Sequence, residues 1–464
     1  MRLLDLRPSS DPASSSPAPR RAGNLVGRTV ERLRAASRST PGRYRLWSLA
    51  AVAVLVLAAV AATASAAQMR AATNRVRTNS GPVLVATQQL VSSLAEADAA
   101  QTAAFLSGRE EDPEQRRLYE QALARAEQQM EQIAARVGDD QAVHDLLQRV
   151  SVRVSTYAGL VEAARASNRA GVPEAAGYLV DSVRLGNAIV QDDLTALTAA
   201  TQERLGRDED RRSQGWIVAL VVVVAGLAVL GFGQAHVTRA SRRIVNLPLA
   251  VGTLALLAVL VWLVVAQQGS GNALRDARRQ GYDAIALTAQ LQTAGFGAKA
   301  AETLALVTGD ANQRADADAR SALVAVAPVT PEVLDRIRSR AVGDGAPGGL
   351  LGQAAANSAT PRSRAAVAEV AQRWQRYRDT VAALRSAPSA AEARAIAVGR
   401  SNAEFNGFNF SVEAVLGQSR GEFLAGLETA ADRTSRVPTA ALLLVLGALV
   451  ASLWGFQLRI NDYR

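Results

Sequence analysis

The stretch SNAEFNGFNFSVE, residues 401–413, interleaves Asn402, Asn406 and Asn409 with Phe405, Phe408 and Phe410, three of the eight Phe in the chain. Amides orient a ligand by hydrogen bonding and rings supply apolar area, so these six side chains form a candidate extracytoplasmic contact for a ligand or partner. The competing reading has the rings filling a bundle where helices meet, with the Asn residues capping or turning the backbone. Trp374 and Tyr377, on one side of a helical stretch, read as packing residues. A second stretch, GFGQAHVTRASRRIVNLPL at 231–249, holds Arg239, Arg242 and Arg243 and no acid. Together with Arg459, Tyr463 and Arg464 of the terminal WGFQLRINDYR, these are candidate contacts for a cytoplasmic partner or for anionic lipid headgroups.

Catalysis finds little material. Two His, His144 and His236, and no Cys leave Ser-His, Cys-His and common zinc chemistry without their components. No Gly-rich phosphate loop is present. Asp139-Asp140 and Asp192-Asp193 could hold a cation, but acidic pairs at helix ends ordinarily cap or face solvent. The expectation is a non-enzymatic protein with no metal and no cofactor, and without disulfides its folded regions must rely on apolar packing.

The elements that position these residues follow from how the apolar residues are grouped. The chain has 464 residues, 49% of them hydrophobic, and 46–69, 213–238, 244–274 and 437–458 contain no Asp, Glu, Lys or Arg. Each run can supply roughly the 20 residues a helix needs to cross hydrocarbon. Four spans are expected, at 46–66, 216–234, 246–266 and 438–457, the first as an uncleaved signal anchor behind a 45-residue leading arm. Residues 1–45 carry ten Arg against three acids, and the 235–245 loop carries three Arg and no acid. Basic excess beside membrane ends marks the cytoplasmic side, which places both termini, including 458–464, in the cytoplasm of a bacterial plasma-membrane protein. The formal +10 therefore sits mostly at the cytoplasmic margins, and nucleic acid is not an expected partner, since phosphate affinity needs clustered basic residues on one surface.

What remains outside is large: 67–213, with 17 Arg and 21 acids, and 267–436, with 20 basic residues and 17 acids, including the only Lys of the chain. Ala, Leu, Gln, Glu and Arg dominate both, so both read as helical. In the first, helices over 83–105, 114–137, 142–167 and 174–204 are punctuated by Gly108 to Pro113, Gly138-Asp139-Asp140 and Gly171-Val172-Pro173. In the second, 282–307, 311–326, 332–340, 362–386, 390–398 and 411–432 read as helix and 343–349 as loop. The fold class is an all-α integral membrane protein, four transmembrane helices with two tandem extracytoplasmic four-helix-bundle-like domains. Segments correspond in order across the halves: AEADAAQTAAFLSG ending at Gly108 parallels AGFGAKAAETLALVTG ending at Gly309, and the helix of Tyr157 parallels that of Tyr377. A duplicated unit of span, bundle and span explains the short basic hinge as the join between copies.

This plan, with the Arg-rich arm, the minimal hinge and the terminal WGFQLRINDYR, resembles the actinobacterial GlnX-type four-span membrane proteins that partner a glutamine-binding-type lipoprotein and protein kinase G. The resemblance implies a relay: a solute-binding lipoprotein detects aspartate or glutamate outside, and a cytosolic Ser/Thr protein kinase responds by adjusting nitrogen and carbon metabolism. The terminal Ile460-Asn461-Asp462 departs from the family's pattern. Two other readings stay open, a direct small-molecule sensor and a structural envelope protein. Ala- and Gly-rich spans also leave room for a homo-oligomer.

Overall fold

The computed structural model describes residues 40–241, 247–276, 282–339, 347–358 and 360–435, with isolated positions at 443, 447 and 450. Among the described residues there are helices and turns but no strand. Helix α1 (Thr40–Arg75) passes through a π-helical turn, Val76–Ser80, into α2 (Gly81–Leu106). Then come α3 (Pro113–Val137), α4 (Gln141–Ala170) and α5 (Ala175–Ala188), and a second π turn, Ile189–Asp193, leads into α6 (Leu194–Ser241). The second half holds α7 (Leu247–Asp276), α8 (Asp283–Thr308), α9 (Ala311–Val324), α10 (Pro331–Ser339), α11 (Gly349–Asn357), α12 (Pro361–Arg385) and α13 (Ala390–Ile396). A third π turn, Ala397–Ser401, opens α14 (Asn402–Ser435).

Local chemistry sets these boundaries. Asp112 caps α3 by accepting from the Glu114 amide at 2.9 Å, and Pro113 sits where its missing N–H costs nothing. Asp310 does the same for α9 through the Asn312 amide at 2.8 Å. Gly171, in the left-handed region at φ 72°, closes α4. Helix α6 continues to Ser241 through most of the segment read as the 235–245 loop; 242–246 lie outside the described residues. Helix α11 begins at Gly349, the last residue of the stretch expected as loop, in a segment for which the sequence patterning predicts no helix. Its Gly-rich entry serves a close approach: a Cβ on Gly349 (φ 59°) would lie 2.6 Å from the Leu323 carbonyl oxygen.

The chain divides into two compact units. One comprises 1–59, 223–258 and 444–464. Within it, small or interdigitated residues are buried, Ala58, Val223, Leu230 and Leu256, while Leu57, Phe232 and Leu254 are exposed. A Cβ on Gly226 would come within 3.0 Å of Val54 and 3.4 Å of Leu256, so these apolar stretches pack closely. Exposed large apolar side chains such as Leu57, Phe232 and Leu254 suit helices whose surroundings are themselves apolar. Among the described residues one helix, running through Val52–Leu106, is long and apolar enough to cross a membrane; Ile217–Phe232 and Ala250–Trp262 are shorter apolar stretches. Apart from 443, 447 and 450, the expected 438–457 span lies outside the described residues, as do the 458–464 tail and the arm up to residue 39.

The other unit comprises 60–222 and 259–443, so the two regions read from sequence as separate bundles fold as one body. Its seam is α2 against α8. Ala95 and Ala99 of α2 belong to the same apolar cluster as Leu291, Phe296 and Trp374 of the second half. Alanine at these positions lets the two helices approach closely, and this is why the halves share a core. The first half adds a cluster around Tyr119, Ile133, Val150 and Tyr157.

The correspondence between segments that end at Gly108 and Gly309 extends to side chains across this seam. Counting back from Gly108 and Gly309, Asp98 matches Lys299, Gln101 matches Glu302, and Thr102 matches Thr303. Each Thr hydroxyl donates to the carbonyl four residues earlier, at 3.0 and 2.8 Å. Arg165 and Arg385, each eight residues past its matching Tyr, both anchor carboxylates: Arg165 holds Glu111 at 2.6 Å, and Arg385 holds Glu302 and Asp318.

Candidate functional site

Of the six aromatic and amide residues singled out in 401–413, five line one cavity of about 290 Å³: Asn402, Phe405, Asn406, Asn409 and Phe410. The segment is not a turn; it is the first three turns of α14, so its Asn and Phe fall on a helical face. Phe408 points elsewhere. It is fully buried, with its ring 4.9 Å from Trp374, and presses on α8 so closely that a Cβ on Gly295 would lie 2.6 Å from it. Phe410 is 76% exposed at the rim. Phe405 does both jobs, packing at 5.3 Å from Phe296 and 5.2 Å from Tyr377 while also lining the cavity.

The floor of the cavity holds a charge. Lys299 on α8 is only 5% exposed, and its Nζ donates to the Ser401 hydroxyl at 2.8 Å and stands 5.8 Å from the centre of the Tyr377 ring. Glu302, one turn along, is taken by Arg385 at 3.1 Å. Burial pulls the Lys299 ammonium down from its ordinary 10.5 to about 7, with Glu302 opposing. An ammonium has three donors, so Lys299 keeps two beyond the bond to Ser401. Across the cavity, Glu96 of α2 accepts from Arg125 of α3 at 2.6 Å, and burial raises its carboxyl above the usual range against the pull of Arg125. The amides are partly committed: Asn402 donates to the Val398 carbonyl at 2.9 Å, and Asn409 accepts from Gln292 at 2.8 Å.

A counterpart lies on the other side of the α2–α8 seam. Two adjoining cavities of about 390 and 210 Å³ share Asp98, Asn187, Gly297 and Arg320. The α2 positions lining the lysine cavity, Glu96, Ala99, Ala100 and Ala103, match the α8 positions Gly297, Ala300, Ala301 and Leu304 lining the smaller of these two. Burial pushes the Asp98 carboxyl up to about 7, opposed by Gln101, Arg320 and Tyr157. Gln101 donates to Asp98 at 3.2 Å, and the Tyr157 ring and the Asp98 carboxyl meet around Gly186. The two halves thus bury opposite charges at equivalent positions.

The remaining sequence candidates are placed as follows. Arg239 belongs to α6; Arg242, Arg243, Arg459, Tyr463 and Arg464 lie outside the described residues. Asp193 pairs with Arg153 at 2.7 Å, and Asp140 pairs with Arg207 at 3.0 Å. His144 has its Nδ1 3.1 Å from the Asp140 carbonyl oxygen. Sequence reasoning missed Lys299, Asp98, Glu96 and Arg125. A signal for the first was present: the chain has 52 basic residues and only one is lysine.

Residues 72–210 match the Actinobacterial sensor domain family. That segment carries Glu96, Asp98 and Arg125, and so one wall of each cavity, and its similarity supports a sensing or signalling role for the protein. No curated protein and no solved structure matches the chain.

Proposed function

We propose that the protein is a non-enzymatic transmembrane signal relay: its helical body faces outward from a bacterial plasma membrane, four helices cross the bilayer, and Arg-bearing edges face the cytosol. The observation that carries this reading is helical continuity. The walls of the body run without interruption into apolar stretches, α2 from α1 through the Val76–Ser80 turn and α6 from the Ile189–Asp193 turn. A continuous helix carries a small shift or rotation from one end to the other when two packings lie close in free energy. In the relay, a solute-binding lipoprotein contacts the body outside and a cytosolic Ser/Thr protein kinase docks at Arg239, Arg242, Arg243 and the terminal Arg459, Tyr463 and Arg464, beside anionic lipid.

The absence of Cys makes topology directly testable. Single Cys at Ala134 and Ala365 should react with an impermeant thiol reagent in intact cells, while Cys at Arg242 should react only after the membrane is opened; labelling of either of the first two only after opening would overturn the arrangement. Replacing Arg239, Arg242 and Arg243 by Ala, or removing 458–464, should abolish kinase recovery in mild-detergent pull-down at normal membrane abundance. Retained recovery would rule those docking sites out. A second reading, direct sensing of a small molecule by the body itself, is favoured by the cavity at Lys299.

A further inference from the structure

We infer that the cavity between α2, α3, α8 and α14 is a binding site for a small organic carboxylate, held by Lys299 with Asn402 and Asn406 orienting the rest of the molecule. The inference deepens the direct-sensing reading and rests on it.

Three observations carry the site. First, at about 290 Å³ the cavity sits just under the roughly 300–1,000 Å³ of drug-sized pockets, which suits a small metabolite. Second, its floor is the chain's only lysine, buried to 5% exposure with a hydroxyl and no carboxylate as its hydrogen-bond partner. A buried ammonium that no carboxylate hydrogen-bonds is costly, Glu302 being taken by Arg385, and an incoming anion offsets that cost. Third, the walls combine the Phe296–Phe405 ring pair with the Asn406 amide, exposed at the rim, and the Asn402 Oδ1, whose amide N–H is already committed.

The charge balance selects the class of anion. Lys299 and Arg125 face Glu96 and Glu413 in the lining, so a dianionic phosphate would meet two carboxylates, with Arg125 already held by Glu96. A single carboxylate fits the two open donors on Nζ. Glu96 and Glu413 leave room for an ammonium on the far end of the same molecule. Because the free ammonium titrates near neutral pH, carboxylate binding draws a proton onto Lys299. Affinity is then highest below pH 7 and falls about tenfold per unit above it, until the bound form itself titrates.

The test uses the full chain in phosphatidylcholine nanodiscs, titrated calorimetrically with propionate, succinate, glutarate, L-alanine and L-glutamate, with propionamide and inorganic phosphate as controls. At least one carboxylate should bind saturably, more weakly at pH 8.5 than at pH 6.5, with proton uptake revealed by buffers of different ionisation enthalpy. Lys299→Met should weaken it roughly tenfold to a hundredfold, and Asn402→Ala, which keeps the ammonium, should weaken it less. Asp98→Asn, on the opposite face of the seam, should leave it unchanged. Saturable binding by none of the carboxylates, binding that survives Lys299→Met in a protein shown to be folded by its melting transition, or preference for phosphate would each overturn the assignment. Kinase recovery without carboxylate binding would sink this inference alone, whereas binding without any recovered kinase would sink the relay and leave the site standing.

Discussion

Lys299→Met gives the sharpest reading of the buried charge, because it keeps length and apolar bulk while deleting the ammonium. The folded-state pKa is depressed, from 10.5 to about 7, so this group's contribution to stability is fully present above pH 10.5 and is lost as pH falls towards 7. Between pH 9.5 and pH 7 the wild-type protein should lose about 3 kcal/mol that the variant keeps, by linkage over the part of the shift spanned. Below pH 7 both states carry the proton and the difference stops growing. In nanodiscs, melting temperatures followed from pH 6 to 10 should therefore give diverging curves. The variant should sit several degrees above wild type at pH 7, at about 2 °C or less per kcal/mol for a body of this size, with the two curves close together near pH 10. Other titrating groups are common to both proteins and cancel in the difference. Parallel curves would show that Lys299 is solvated or ion-paired in solution, and the physical basis of the site would be gone.

Asp98→Asn should show the opposite slope. The carboxyl is raised from 3.8 to about 7, so its contribution is present below pH 3.8 and lost as pH rises through 7; the variant should gain on wild type by a few kcal/mol, roughly, at pH 8 and by nothing near pH 4 in the same melting series. Ser401→Ala removes the hydroxyl that accepts from Lys299 at 2.8 Å, and should cost roughly 1.5–3 kcal/mol at pH 7, where the amine is substantially charged, but about 1 kcal/mol or less at pH 10. The pH dependence of that cost should vanish in a Lys299→Met background, which a double-mutant cycle measures. Gly295→Ala places a methyl carbon 2.6 Å from the Phe408 ring and should lower stability by about 1–3 kcal/mol at every pH.

Much of the body was legible because its signals are local. Asp112-Pro113, Gly171 and Asp310 mark helix ends by capping and by tolerance of positive φ, and the helices fall where those residues put them. The aromatic and amide stretch at 401–413 stood out by composition, and five of its six chosen residues share a cavity wall. What could not be read was anything set by the α2–α8 seam. Alanine-rich stretches such as 95–104 and 298–305 look alike whether they face solvent, lipid or another helix, so nothing in them announced that the two regions share one core. Nor does the alternation of Asn and Phe reveal that Phe408 turns to Trp374 while Phe405 reaches the cavity; that follows from the 3.6-residue period once the segment is known to be helix. The equivalence of Asp98 and Lys299 follows from counting back from Gly108 and Gly309, but that both charges are buried at the seam does not.

The position of Ser401 connects the site to the helices that leave it. It is the last residue of the Ala397–Ser401 π turn, and α14 continues from it to Ser435. π turns carry an extra residue per turn and are concentrated where a helix serves a function, because their register can be absorbed at small cost. A carboxylate on Lys299 takes the two donors that the bond to Ser401 leaves open and reaches from α8 and α14 towards the α2 and α3 wall of Glu96 and Arg125. Such a ligand can shift an equilibrium only by its difference in affinity for the two packings. Burying an ammonium with no carboxylate hydrogen-bonded to it supplies that difference: the packing that seals Lys299 is disfavoured when the cavity is empty and favoured when it is filled. A fully ion-paired lysine would make the body more stable and leave it nothing to report.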